Sequence, residues 1–312
     1  MLASVKKIAA LREPAPFERP AWLDGSLYPF TDRFLELDGH RVHYVDEGSG
    51  PPLLMLHGNP SWSFLYRKII ASLRGSFRCI ALDYPGFGLS TARSGYDFRI
   101  RSHAEVVERF VERLDLRDLT LMVHDWGGPI GLSAAARHPE RLRALVLGNT
   151  VAWRVNGKPR YEIFGRLMGG AFGRFLNLRL NFFVKVMLPA NTKKARLSAA
   201  VKAAYAGPFP TPESRVPVAV MPEEVLGAGD FLEELHASLS KLEHLPALLL
   251  WGDRDIAFRS EERETFEALF PDHQTVILEG AGHFIQEDAP AAIVAAIRDW
   301  WPLATKEGNR HE

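Results

Sequence analysis

The chain has 312 residues, 46% apolar and 24% charged. That composition supplies a large core without disulfide, metal or partner, and it excludes collagen, coiled-coil and disordered classes. Lys plus Arg balance Asp plus Glu, 38 − 38 = 0, which argues against a surface dedicated to nucleic acid or anionic membrane. The single cysteine, Cys79, leaves no partner for an intrachain disulfide and no Cys-cluster metal site.

Residues 1–30 carry several prolines and read as an irregular N-terminal arm. Lys6, Lys7, Arg12 and Glu13 interrupt its apolar stretch, so it makes a poor signal peptide. No charge-free apolar run approaches the roughly 18 residues of a membrane span, and the expected compartment is the cytoplasm. Segments 34–37 and 41–45 read as strands joined by Asp38-Gly39, the strongest short hairpin signal. Continuous apolar runs follow at 53–56, 79–82, 119–123, 142–147, 247–251 and 275–278. Such runs suit strands buried on both faces of a parallel sheet. Helical patterns fall between most of them, at 63–73, 103–114, 129–137, 231–242, 260–269 and 289–301. Alternating strands and helices predict a doubly wound, mostly parallel sheet with an antiparallel start.

The rhythm breaks between about 149 and 216, where no buried-strand pattern occurs. This interval is helix-like, with Phe164, Phe172, Phe175, Phe182 and Phe183 among many Arg and Lys. It reads as a helical cap over the carboxyl ends of the strands, where open α/β sheets bind ligands. The Arg and Lys read as its solvated face. The expected division is a core of 31–148 and 217–304, a cap of 149–216 and a flexible tail of 305–312.

Chemistry-bearing residues gather at the strand ends. His57-Gly58-Asn59-Pro60 follows one strand, and His124-Asp125-Trp126-Gly127-Gly128 joins a strand to a helix. Asp253, Asp255 and His283 follow later strands. In serine hydrolases the glycine-flanked strand–turn–helix elbow reads G-x-S-x-G. Here Asp125 stands at the apex. A carboxylate is poorly suited to acyl transfer, but it can displace a leaving group at saturated carbon and form an alkyl ester. A histidine-activated water can then hydrolyse that ester.

Four segments, His57-Gly-Asn-Pro-Ser-Trp62, Asp83-Tyr-Pro-Gly-Phe-Gly-Leu-Ser90, His124-Asp-Trp-Gly-Gly128 and His283-Phe-Ile-Gln-Glu-Asp288, occur in one order. The chain resembles a haloalkane dehalogenase of the α/β-hydrolase superfamily from about Tyr28 to Trp301. The resemblance implies an eight-stranded, mostly parallel sheet flanked by helices, with a helical cap. It implies Asp125 as nucleophile, His283 as general base, and Asn59 and Trp126 as halide donors whose backbone N–H groups also form the oxyanion hole. Family members carry the acid after strand six or strand seven. No carboxylate follows strand six, at Leu147-Gly-Asn-Thr-Val-Ala-Trp153, so the acid is expected after strand seven, at Asp255 rather than Asp253. An Asp–His–Asp set with an Asn–Trp pair resembles the third subfamily, which is associated with self-association. The substrate implied is a small halogenated or similarly apolar molecule.

The residues leave other readings open. β-Lactone decarboxylases share these loops. Epoxide hydrolases use the same nucleophile but need an acid over the epoxide oxygen, usually cap tyrosines, and Tyr161 and Tyr205 lie in the cap interval. A non-enzymatic scaffold would be expected to have lost one of the five positions, and all five are filled. His57 and His124 read as supporting residues, since no metal-ligand spacing occurs. The turn at Asp83 and Gly86–Gly88 is not a phosphate loop, so neither metal nor nucleotide cofactor is expected.

Overall fold

Asp38 and Gly39 both take positive φ, 49° and 84°, the conformation of a two-residue hairpin turn. They join β1 (Arg33–Leu37) to β2 (His40–Glu47) with Leu37 opposite His40. The computed structural model describes residues 17–307, the last five by backbone alone. Most of the expected arm and tail, 1–16 and 308–312, lies outside the described residues.

All eight expected strands form. After the hairpin come β3 (Pro52–Leu56), β4 (Arg78–Leu82), β5 (Leu119–Asp125), β6 (Leu142–Thr150), β7 (Ala247–Gly252) and β8 (His273–Leu278). Their order across the sheet is β1-β2-β4-β3-β5-β6-β7-β8. Only the β1–β2 and β2–β4 pairs are antiparallel. β3, β5 and β7 are buried almost end to end, as their unbroken apolar runs require. β5 and β6 run past their expected ends, to Asp125 and Thr150. Those last residues are polar and carry no apolar pattern, yet Asp125 pairs with Thr150 across a register shift.

Helices cover both faces: α1 (Arg67–Leu73), entered by a 3-10 turn at Ser63–Tyr66, α2 (Ile100–Arg113) and α3 (Gly127–Arg137). In α2, Ile100, Ala104, Val107 and Phe110 recur at helical spacing and are buried. Between β6 and β7 stand α4 (Pro159–Met168), α5 (Ala171–Leu180), a π turn at Phe183–Met187, α6 (Leu188–Ala190), α7 (Ala199–Ala206), α8 (Val216–Val220), α9 (Glu224–Gly227) and α10 (Gly229–Ser238). Ser198 caps α7, its Oγ accepting from Val201 N at 3.2 Å. α8 packs on α5 and α9 on α4, whereas α10 packs on α3 beside the sheet. α11 (Ser260–Leu269), α12 (Ile285–Asp288) and α13 (Pro290–Glu307) complete the chain. Among the described residues no helix is long and apolar enough to cross a membrane.

Candidate active site

β5 delivers Asp125 to the carboxyl edge of the sheet, and α3 starts two residues later. Asp125 takes φ = +52°, a left-handed conformation that costs a non-glycine residue about 1–3 kcal/mol. Its neighbours must be small. A Cβ at Gly58 would land on Asp125 Cβ, and one at Gly127 would strike the carbonyl of Leu56. Thr150 Oγ1 donates to the Asp125 carbonyl at 2.6 Å, which fixes the elbow to the end of β6. Asp125 is 8% exposed, and its Oδ2 accepts from the backbone N–H of Asn59 at 3.2 Å.

The other oxygen faces a histidine. Nε2 of His283 stands 3.6 Å from Asp125 Oδ1, and Nδ1 stands 2.9 Å from Asp255 Oδ2. Asp255 is held in turn by Ala257, whose N–H donates to Oδ1 at 2.7 Å. Asp253 points elsewhere and accepts from Gly280 N at 2.6 Å. Burial works against a charged His283, but the carboxylates of Asp255 and Asp125 outweigh it and push the imidazole up to about 10.

Asp125 and His283 line a cavity of about 240 Å³, and Asp255 lies behind His283, outside its lining. Asn59 and Trp126 line it beside Asp125, and Phe164, Phe183, Met187 and Phe258 make much of its wall. Asn59 Nδ2 reaches only the Val218 carbonyl, at 3.4 Å, and its Oδ1 is buried without a hydrogen-bond partner. All five expected residues therefore meet in one place. Among the described residues, the one His/Asp/Glu group spaced to hold an ion is Glu108, Glu112 and His138. It lies on α2 and just after α3, and Arg137 and Arg109 already answer its carboxylates.

The sequence profile of the alpha/beta hydrolase fold matches residues 51–290. The chain belongs to the α/β-hydrolase fold family. Within that family it is 46% identical over 276 residues to haloalkane dehalogenase 2 of Mycobacterium tuberculosis, spanning 88% of this chain and 96% of that protein. It is 33% identical over 282 residues to the cis-3-alkyl-4-alkyloxetan-2-one decarboxylase of Shewanella oneidensis, spanning 88% and 89%. Haloalkane dehalogenase DbeA of Bradyrhizobium elkani superposes with a TM-score of 0.81 at 26% identity, over 89% of this chain and 99% of that one.

This α/β hydrolase also holds its histidine loop by Asn149, which the sequence left unassigned, and by His124, which it read as a support. Asn149, at the end of β6 with φ = +38°, donates from Nδ2 to the carbonyls of Gly282 and His283 at 3.1 and 3.2 Å. Its Oδ1 accepts from Gly252 N at 3.0 Å. The only signal for it was an Asn two residues after an apolar run. His124 Nε2 donates to the same His283 carbonyl at 2.8 Å, and burial holds that imidazole down at about 4. His57 is likewise held down at about 4 by burial and accepts from Tyr84 N at 3.3 Å. Both stay neutral supports. Asp83 accepts from Ser63 N and Leu89 N at 2.8 and 2.9 Å, closing its turn.

Proposed function

We propose that this chain is a haloalkane dehalogenase that converts a small haloalkane and water to alcohol, halide and a proton. Asp125 Oδ1 attacks the halogen-bearing carbon, the carbon–halogen bond breaks with its electron pair leaving on the halide, and an alkyl ester forms. Asn59 Nδ2 and Trp126 Nε1 donate to the departing halide. Preorganised donors in a water-poor site stabilise such charge by a few kcal/mol each. Asn59 N–H on Oδ2 marks the ester carbonyl, and together with the Trp126 N–H it is positioned for the oxyanion of the second half.

In the resting site two carboxylates favour a protonated His283. Esterification removes the charge of Asp125, so the His283 pKa falls and its proton leaves to solvent. The neutral imidazole then takes a proton from water as the water oxygen attacks Asp125 Cγ. Collapse expels the alcohol and restores the carboxylate. Asp255 Oδ2, 2.9 Å from His283 Nδ1, accepts from that nitrogen and so fixes the tautomer. Asp255 after β7, with the Asn59–Trp126 pair, supports membership of the third subfamily.

The observation that carries this reading is the Asp125–His283–Asp255 line, at 3.6 and 2.9 Å, whose first two members line an apolar cavity. That cavity is smaller than the ~300–1,000 Å³ usual for drug-sized ligands. Identity of 46% to a dehalogenase and 33% to an oxetanone decarboxylase favours the first. Epoxide hydrolysis is disfavoured. Tyr205 is fully buried and donates to Glu287 at 2.7 Å, and the Tyr161 hydroxyl is engaged by the Ala257 carbonyl at 3.2 Å. Bromide release from 1-bromobutane and 1,2-dibromoethane tests the proposal. It is expected from the wild type and not from Asp125→Asn. Alkene and carbon dioxide from a cis-3,4-dialkyl oxetan-2-one, without bromide release, would favour decarboxylation instead.

A further inference from the structure

The neutral total charge conceals a local excess. Between Glu162 and Glu213 the chain carries eight Lys and Arg and no acid. This stretch forms most of the helical layer over the sheet edge, and its outer side is strongly apolar. Ile163 is 68% exposed and Leu167 51%, four residues apart on α4. Phe172 and Phe175, three apart on α5, are 58% and 57% exposed, followed by Leu180 and Val186 at 56% and 47%. These elements adjoin: α4 packs on α5, and Phe164 meets Phe183 of the π turn at 6.3 Å. Clustered exposed apolar residues on one surface mark a contact site.

We infer that this face docks on an anionic lipid surface. Arg166, Arg179 and Lys185 are exposed among the apolar residues. Cations interleaved with aromatic and aliphatic side chains are the composition of helices that lie in a membrane interface. The flanking acid Glu162 is already paired with Arg166 at 2.9 Å, and Glu223 with Arg174 at 2.7 Å. A second copy bound through the same face would set cations against cations, a mismatch that anionic headgroups do not impose. The location is consistent with traffic of apolar molecules. Phe164, Phe183 and Met187 line the cavity from the inner side of the same elements, and Ile256, 57% exposed, also lines it. The docking does not depend on which reaction the cavity performs. Net charge argued against such a surface only because acids elsewhere in the chain cancel this segment.

The test is sedimentation of the full chain with phosphatidylcholine vesicles, with and without phosphatidylglycerol. Binding to the anionic vesicles alone, weakened by salt, is expected. Arg179→Ala with Lys185→Ala should weaken it roughly twenty-five-fold, at about fivefold per cation. Phe172→Ser with Phe175→Ser should weaken it by about tenfold or more. All four positions are exposed, so the variants should keep the wild-type Tm, which is measured alongside. Absence of binding to either vesicle overturns the inference, as does binding that the substitutions leave unchanged. A shift from dimer to monomer in the phenylalanine variant, without vesicle binding by the wild type, overturns it in favour of a second copy.

Discussion

Asn149 and His283 are joined through the backbone: the Asn149 amide donates to the His283 carbonyl at 3.2 Å while its own carbonyl holds Gly252 N at 3.0 Å. One side chain thus ties the ends of β6 and β7 to the histidine loop. Asn149→Leu fills similar volume but strands two buried partners, the Gly282 carbonyl and Gly252 N, each loss costing about 1–3 kcal/mol, while the His283 carbonyl keeps its bond from His124. Tm should fall, and kcat should fall about 10²-fold, the effect of displacing a reacting group by about 1 Å. Halide release at saturating substrate, measured below the lowered Tm, checks this. A variant with full kcat would reduce Asn149 to a structural tie.

His283→Gln separates the two halves of the proposed reaction. Attack by Asp125 needs no base, whereas ester hydrolysis does. The variant should release one equivalent of bromide and then stop. Its mass should rise by the alkyl group, located on the peptide containing Asp125. Turnover should drop about 10²–10⁴-fold, the range for loss of a positioned base. Stoichiometric bromide without a mass increase would exclude an aspartyl ester.

Much of this was legible in the residues. The eight strands were readable because buried parallel strands are apolar along their whole length, and Asp38-Gly39 read as a turn because few residue pairs tolerate two positive φ angles. Asp125 was readable because glycines crowd it. Asn149 and Asp288 were not. Their work is to hold backbone groups brought together by distant parts of the chain, and no local spacing records that. The ends of β5 and β6 were missed for a related reason, since polar residues there are buried by tertiary contacts.

The charge of His283 makes stability depend on pH. An imidazole has a pKa of about 6.5 when unfolded, and the folded value is raised to about 10. The folded state therefore binds this proton more tightly. The stabilisation is complete below about pH 6.5, shrinks as pH rises, and is lost as pH passes through about 10. Tm of the wild type should decline over this window more steeply than that of His283→Gln, which has no such proton to lose. Parallel Tm profiles would show that His283 is neutral in the resting site. Asp255→Asn should give an intermediate slope, because Asp125 still favours the imidazolium.

Asp288 joins the cap to the site from below. Its Oδ1 accepts from Lys194 N and Ala195 N at 2.7 and 2.8 Å, and its Oδ2 from Lys193 N and Gly282 N, both at 2.8 Å. Next to this clamp, His283 N donates to the Asn191 carbonyl at 3.0 Å. One carboxylate thus orders the link between α6 and α7 and the residue before the histidine. Four charge-assisted hydrogen bonds to backbone N–H groups are among the stronger kinds. Asp288→Ala should destabilise by about 3 kcal/mol or more and should lower kcat through His283. Asp288→Asn can accept with one oxygen but turns an N–H₂ towards donors, so it should recover little. If denaturant midpoints show Asn restoring wild-type stability, the clamp depends on shape rather than on the carboxylate's two acceptors.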